Sequence, residues 1–202
     1  MKILKECNLS EVVVELLAGK TIIFPTETSY GLGCDASNQQ AVDTIFKIKA
    51  RVGDKPLLVV VPTVEMAKKY LLWNTNIEKL AKKYWPGALT IVGNCIPNSG
   101  LANGVVSNQG TVAVRVTANP VIKFLSESLG KPLVATSGNV SGAGDIYNSA
   151  DAETMFAGRD VQPDIILDFG QLPKNLPTTL VDATGNELKI LRQGEVKINY
   201  MG

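Results

Sequence analysis

The sequence predicts an α/β fold built on a mixed sheet, and three observations carry that prediction. Short apolar runs alternate with amphipathic helical runs along the whole chain. Hydrophobic residues make up 45% of the 202 positions, enough for a substantial core. No internal repeat or low-complexity linker divides the chain, so residues 1–202 are expected to form a single domain.

The elements follow in order. Ser10–Ala18 reads as a helix, with Ser10 as its cap and Gly19 as its stop. Thr21–Phe24 is a buried strand ended by Pro25, and Gln40–Lys49 is a helix with Val42, Ile45 and Phe46 on one side. Leu57–Val61 is a continuous apolar strand, followed by helices over Val64–Leu72 and Asn76–Tyr84. Thr75 and Glu78 have the spacing of a capping box for the second of these. Ala88–Val92 and Thr111–Val116 read as strands around a mobile loop, Asn98–Asn108, rich in Gly, Asn and Ser. Pro120 opens a helix that Gly130 closes. Pro132–Thr136 is a strand running into the small-residue stretch "SGNVSGAG", and a helix follows around Ala150–Phe156. Ile165–Phe169, Thr179–Asp182 and Leu188–Leu191 are the last strands.

Composition excludes several functions. Lys and Arg number 20 against 19 Asp and Glu, so the chain does not coat nucleic acid by bulk charge. With no histidine, Ser-His-Asp and Cys-His schemes and histidine metal sites are all absent. Cys7, Cys34 and Cys95 are widely spaced, which argues against a disulfide framework or a thiolate zinc site and for a reducing cytoplasm. Glu6, Glu11 and Glu15 interrupt the first apolar segment, unlike a signal peptide. No apolar run has the length to span a bilayer, so no membrane partner is expected.

Two phosphate signatures fail on context. Gly19-Lys20-Thr21 precedes a strand, whereas a P-loop follows one. Gly31-Leu-Gly33-Cys-Asp-Ala36 fits a dinucleotide fingerprint, but Asp54 lies before the next strand rather than at its end. Other segments point to an anion-binding cleft. "KIKARVGDK" sends Lys49 and Arg51 out of a helix just before a buried strand, where they either cap the helix dipole or clamp phosphates. "TSGNVSGAG" is either an ordinary turn or a loop whose backbone N–H groups approach an anion. Arg115, inside a buried alternating strand, requires either an internal ion-pair partner or a bound carboxylate. Trp85 reads as a core plug beside Pro86-Gly87, and the role of Thr90 is left open.

Taken together, "FPTETSYGLGCDA", "KAR" with "KPLLVVV", "WPGALTIV", "TVAVRVT", "PLVATSGNVSG", "LPTTLVD" and "ILRQGEV" resemble the YrdC/Sua5 family of threonylcarbamoyl-AMP synthases. The matches run in family order from Phe24 to Val196. The resemblance implies a twisted mixed sheet with flanking helices around an open basic cavity. It implies L-threonine, bicarbonate or CO2, and ATP as substrates, with threonylcarbamoyl-AMP and pyrophosphate as products. The product would serve modification of adenosine 37 of tRNA through a separate threonylcarbamoyl-transfer complex.

By motif match, Thr28, Tyr30, Arg115, Ala135 and Thr178 are expected at the threonine, with Arg115 on its carboxylate. Lys49, Arg51, Lys55, Thr111, Ser137, Asn139 and Arg192 are expected at ATP, Lys49 and Arg51 being the catalytic pair. Mg2+ is expected to accompany ATP on its phosphates, without a dedicated protein metal site. Lys55 stands where many relatives have Asn, and Val60 stands where several have a histidine expected to touch threonine. Rival readings are an RNA-binding module, a carbamoyl-phosphate-using relative and a diverged paralogue. Near-zero charge, the absence of cysteine pairs, and the intact "KAR" and "SGNVSG" motifs weigh against them in turn.

Overall fold

Buried aliphatic strands and asparagine-capped helices organise the chain. The computed structural model describes residues 1–5, 8–50 and 55–198. In chain order the elements are β1 (Lys2–Lys5), α1 (Leu9–Leu17), β2 (Ile22–Pro25), β3 (Tyr30–Gly33), α2 (Gln39–Ile48), β4 (Val59–Val61), α3 (Val64–Ala67), α4 (Thr75–Tyr84), β5 (Leu89–Asn94), β6 (Thr111–Val116), α5 (Pro120–Leu129), β7 (Leu133–Val134), β8 (Thr136–Ser137), α6 (Ser149–Phe156), β9 (Ile165–Asp168), β10 (Thr179–Asp182) and β11 (Lys189–Arg192).

The α/β class is as expected, but the strands divide between two mixed sheets, ordered β1-β9-β2-β3-β8 and β11-β10-β5-β6-β4-β7. The division falls inside the stretch expected as one strand, Pro132–Thr136. There β7 pairs with β4 in one sheet, and β8 pairs with β3 in the other. Ala135 is the crossing point, and its N–H donates to the Leu58 carbonyl at 3.0 Å. The space beside this crossing becomes the cavity described below.

Strand alternation builds two apolar layers. Ile22 and Phe24 of β2 and Ile165 and Leu167 of β9 pack with Val12 and Leu16 of α1 and Leu125 of α5. Ile23 and Ile166, on the opposite face, join a larger cluster with Ile45 of α2, Ile91 of β5, Val114 of β6 and Phe156 of α6. Each fully buried aliphatic side chain contributes about 1.5–3 kcal/mol.

Several local expectations are corrected. The α1 cap is Asn8, whose Oδ1 accepts from the Ser10 N–H, and the α4 cap is Asn74, whose Oδ1 accepts from Ile77. Asparagine carbonyls therefore do the work expected of Ser10 and of the Thr75–Glu78 box. The helix expected to reach Leu72 stops at Ala67, because the following segment is drawn onto β5: Leu72 N–H donates to Asn94 O at 2.8 Å. Gly31 and Gly33, read in the sequence as part of a failed dinucleotide fingerprint, lie in strand β3. Gly33 serves close approach, since a Cβ there would sit 1.9 Å from the Val134 carbonyl oxygen. The loop Asn98–Asn108 is tied down by Ala102 N–H on Ala36 O and Leu57 N–H on Gly104 O, and Val105 is fully buried.

Candidate functional site

Period-2 alternation decides which face of the second sheet carries chemistry. Strand β6 buries Val112 and Val114 and turns Thr111, Ala113 and Arg115 to the other side. Val92 and Asn94 of β5 and Leu180 and Asp182 of β10 lie on that same side. These residues floor a cavity of about 1230 Å³. Its walls come from the Thr26–Ser29 connection, Lys49 at the end of α2, Lys55, the Ser137–Gly142 loop, Thr178 and Arg192.

Cations dominate the lining through Lys49, Lys55, Arg115 and Arg192, with Asp145 and Asp182 as carboxylates. Lys49 is 3% exposed. Its ammonium donates to the carbonyls of Ser137 at 2.6 Å and Asn139 at 2.7 Å, so it braces the small-residue loop from below. Arg192 donates from Nε to the Thr178 carbonyl and from Nη2 to its hydroxyl, both at 3.0 Å. The Thr178 hydroxyl also meets that of Thr90 at 3.2 Å. Thr90 therefore belongs to the support beneath Thr178.

Arg115 has the internal ion-pair partner that one of its two sequence readings called for. Its Nη1 donates to Glu27 Oε2 at 2.6 Å, while its buried Nε has no hydrogen-bond partner among the described residues. Burial alone would raise the Glu27 carboxyl. The Arg115 charge and the Thr117 hydroxyl outweigh it and hold the group below its ordinary value.

The Thr26–Ser29 connection is fixed by its own hydroxyls. Thr26 Oγ1 donates to the Ser29 carbonyl at 2.7 Å and accepts from the Thr28 N–H at 3.1 Å. Thr28 Oγ1 lies 3.2 Å from the same oxygen.

The sequence profile of the Sua5/yciO/yrdC family, described as "Telomere recombination", matches residues 15–194. The chain belongs to the Sua5/YciO/YrdC family. It is 34% identical to a threonylcarbamoyl-AMP synthase of Vibrio vulnificus (strain YJ016) over 192 residues, 93% of this chain and 98% of that protein. It is also 34% identical to one of Pyrococcus abyssi over 181 residues, 87% of this chain but 51% of that one. The solved structure of P. abyssi Sua5 complexed with L-threonine matches with a TM-score of 0.84 at 29% identity, covering 96% of this chain and 57% of that chain. E. coli YciO matches with a TM-score of 0.82 at 22% identity, which shows the shared fold, over 96% of this chain and 94% of that one.

The family-motif residues converge. Thr28, Tyr30, Lys49, Lys55, Thr111, Arg115, Ala135, Ser137, Asn139, Thr178 and Arg192 all line this cavity. Arg51 lies outside the described residues. Some arrive with atoms already engaged. The Tyr30 hydroxyl donates to the Gly170 carbonyl at 2.9 Å and accepts the Phe169 N–H at 3.0 Å. Thr111 Oγ1 pairs with Ser107 Oγ at 2.7 Å.

In the Ser137–Gly142 loop several donors are already engaged within the fold. The backbone N–H groups of Gly138, Ser141 and Val140 donate to Tyr30 O, Lys49 O and Met155 Sδ, while the Asn139 side-chain Nδ2 donates to Ala143 O. These contacts fix the loop and engage the N–H groups of Gly138, Val140 and Ser141 within the fold. Val60 is fully buried and absent from the lining; Leu58, on the same face, lines the cavity instead.

Sequence reasoning missed Glu27, Asp145 and the Thr117–Asn119 donors. A signal for Glu27 existed: a carboxylate at the mouth of one buried strand complements an arginine inside another.

Proposed function

We propose that this protein is an L-threonylcarbamoyladenylate synthase, a nucleotidyltransferase that uses L-threonine, bicarbonate or CO2, and ATP. The observation that carries the reading is the convergence of Lys49, Lys55, Arg115 and Arg192 with threonine hydroxyls in one cavity. Near-full-length likeness to the V. vulnificus synthase supports it.

Unprotonated threonine amine adds to CO2 and, on releasing a proton to water, gives a carbamate anion. A carbamate oxygen then attacks the α-phosphorus of ATP, a P–O bond forms, and the bond to the pyrophosphate leaving group breaks. The nucleophile is already anionic, so no histidine base is required. The protein contributes positioning and charge stabilisation.

In this reading Arg115 takes the threonine carboxylate, while Thr28 and Thr178 flank the amino acid, with Tyr30 and Ala135 as wall. The Ala135 N–H is already spent on Leu58, so its carbonyl is the backbone atom left to offer. Lys55 and Arg192 reach the phosphates, and the family motif assigns Arg51 the same task. Thr111, Ser137 and Asn139 bound the nucleotide side. Lys49 supplies charge while bracing Ser137 and Asn139.

Among the described residues no three His, Cys, Asp or Glu groups are gathered for a metal. Mg2+ would enter with ATP, held by phosphate oxygens and water, with Asp145 or Asp182 as the lining carboxylates able to join them. Threonylcarbamoyl-AMP is a mixed anhydride, so a separate transfer complex acting on tRNA would consume it. No helix among the described residues is long and apolar enough to cross a membrane. A cytoplasmic site of action completes the proposal.

The test is pyrophosphate release from ATP with bicarbonate, with and without L-threonine, against L-serine. The expected result is threonine-dependent release with threonylcarbamoyl-AMP found by mass. ATP binding without release under any condition would point to a diverged or RNA-binding relative.

A further inference from the structure

Arg115 is an incompletely satisfied buried group of the cavity wall. Its side chain is 4% exposed, yet Nε lacks a partner among the described residues. Its Nη1 is held by Glu27 Oε2. Glu27 is itself immobilised. Its Oε1 accepts from the Thr117 hydroxyl at 2.6 Å, the Ala118 N–H at 2.9 Å and the Asn119 N–H at 3.1 Å, at the start of α5. Asn175 Nδ2 donates to its backbone carbonyl at 2.9 Å.

We infer that Glu27 is a positioning residue for amino-acid binding: by holding Nη1 it fixes the Arg115 guanidinium in the cavity wall, where it receives the substrate α-carboxylate. This rests on the reading that Arg115 holds that carboxylate.

The donor pattern explains why an ionised carboxylate is needed. Donors converge on both Glu27 oxygens, and only an ionised carboxylate accepts at both. Glutamine has one acceptor. If its oxygen serves Thr117 and the start of α5, its NH2 meets Arg115 donor against donor. The reverse orientation clashes with Thr117 and the backbone amides. Either way the guanidinium loses its anchor. Removing the anion also strengthens the pull of Arg115 on a substrate carboxylate. That pull is productive only for a guanidinium held in place, so misplacement dominates.

The test is calorimetric titration of L-threonine and of L-threoninamide, which lacks the carboxylate charge, with a non-hydrolysable ATP analogue present. Glu27→Gln is expected to weaken threonine about tenfold or more, the scale of a charge-assisted contact. It is expected to leave threoninamide and the ATP analogue within about twofold. Thr117→Val, which removes one donor to Glu27 and keeps the ion pair, is expected to show the same selective loss on a smaller scale. It carries the test if Glu27→Gln does not fold. Equal weakening of threonine and threoninamide, or unchanged or tighter threonine binding, overturns the inference alone. A wild-type protein that binds no threonine overturns the parent reading and this inference with it.

Discussion

At the residue scale, the cavity wall separates groups that hold the fold from groups free to meet a ligand, and Tyr30 tests the separation. Its ring is fully buried, and its hydroxyl bridges the Phe169 N–H and the Gly170 carbonyl after β9. Burial, partly offset by the Phe169 N–H, raises the phenol above its ordinary value, so it stays neutral and able to donate. Tyr30→Phe leaves both backbone groups unpaired and is expected to cost about 1–3 kcal/mol in urea unfolding. Threonine-dependent turnover should stay within a few fold of wild type, because the hydroxyl's partners are backbone groups of the fold. Unchanged stability with lost turnover would mean that the hydroxyl serves substrate instead.

At the element scale, the β11 terminus clamps the segment before β10. Gly194 N–H donates to Thr179 Oγ1 at 2.9 Å, and Glu195 N–H donates to Pro177 O at 3.0 Å. A Cβ on Gly194 would lie 2.0 Å from the Pro177 carbonyl oxygen, so the clamp tolerates only glycine. Gly194→Ala is expected to destabilise by about 1–3 kcal/mol, the usual cost of overpacking. It should also raise KM for both ATP and threonine, because Arg192 and Thr178 are held by the same clamp. Wild-type values for all three would refute the role. This clamp also shows what a sequence displays and what it hides. Strand β6 was legible because its alternation of Val with Thr, Ala and Arg has period 2. Strand β3 was not, because Tyr-Gly-Leu-Gly has no such alternation and is made a strand by β2 and β8 on either side. Strand β1 offers only Ile3 and Leu4 between lysines and exists through its parallel pairing with β9. In the site, buried-charge logic found Arg115 but not Glu27, because their contact joins positions 88 residues apart. Fixed loop amides were equally invisible, since Gly138 and Ser141 are consumed by β3 and α2 rather than by neighbours in the chain.

At the scale of the whole molecule, two carboxylates tie distant segments together and link stability to pH. Glu27 joins the β2–β3 connection to β6 and α5. Asp164 joins the entry of β9 to the entry of β2, accepting from the Thr21 N–H at 2.8 Å, the Thr21 hydroxyl at 2.9 Å and Lys20 Nζ at 3.1 Å. Burial opposes ionisation at both. At Glu27 the Arg115 charge and Thr117 prevail, and at Asp164 the Thr21 and Lys20 hydrogen bonds do, so both carboxyls sit below their ordinary values of 4.5 and 3.8. A depressed folded pKa means that the unfolded chain takes up protons first. The stabilisation is therefore fully present above the ordinary values and lost as pH falls through the folded ones. The melting temperature of wild type is expected to be level from about pH 7 to about pH 5 with respect to these groups and to fall steeply below. Glu27→Gln and Asp164→Asn should each start lower at pH 7 and lose less on acidification, so the curves converge as pH falls through the folded values of the two carboxyls. Parallel curves down to acid would show that neither carboxylate carries the linkage. Convergence for Asp164→Asn alone would assign the acid limb to the β2–β9 junction and leave the Arg115 pair without a share in it.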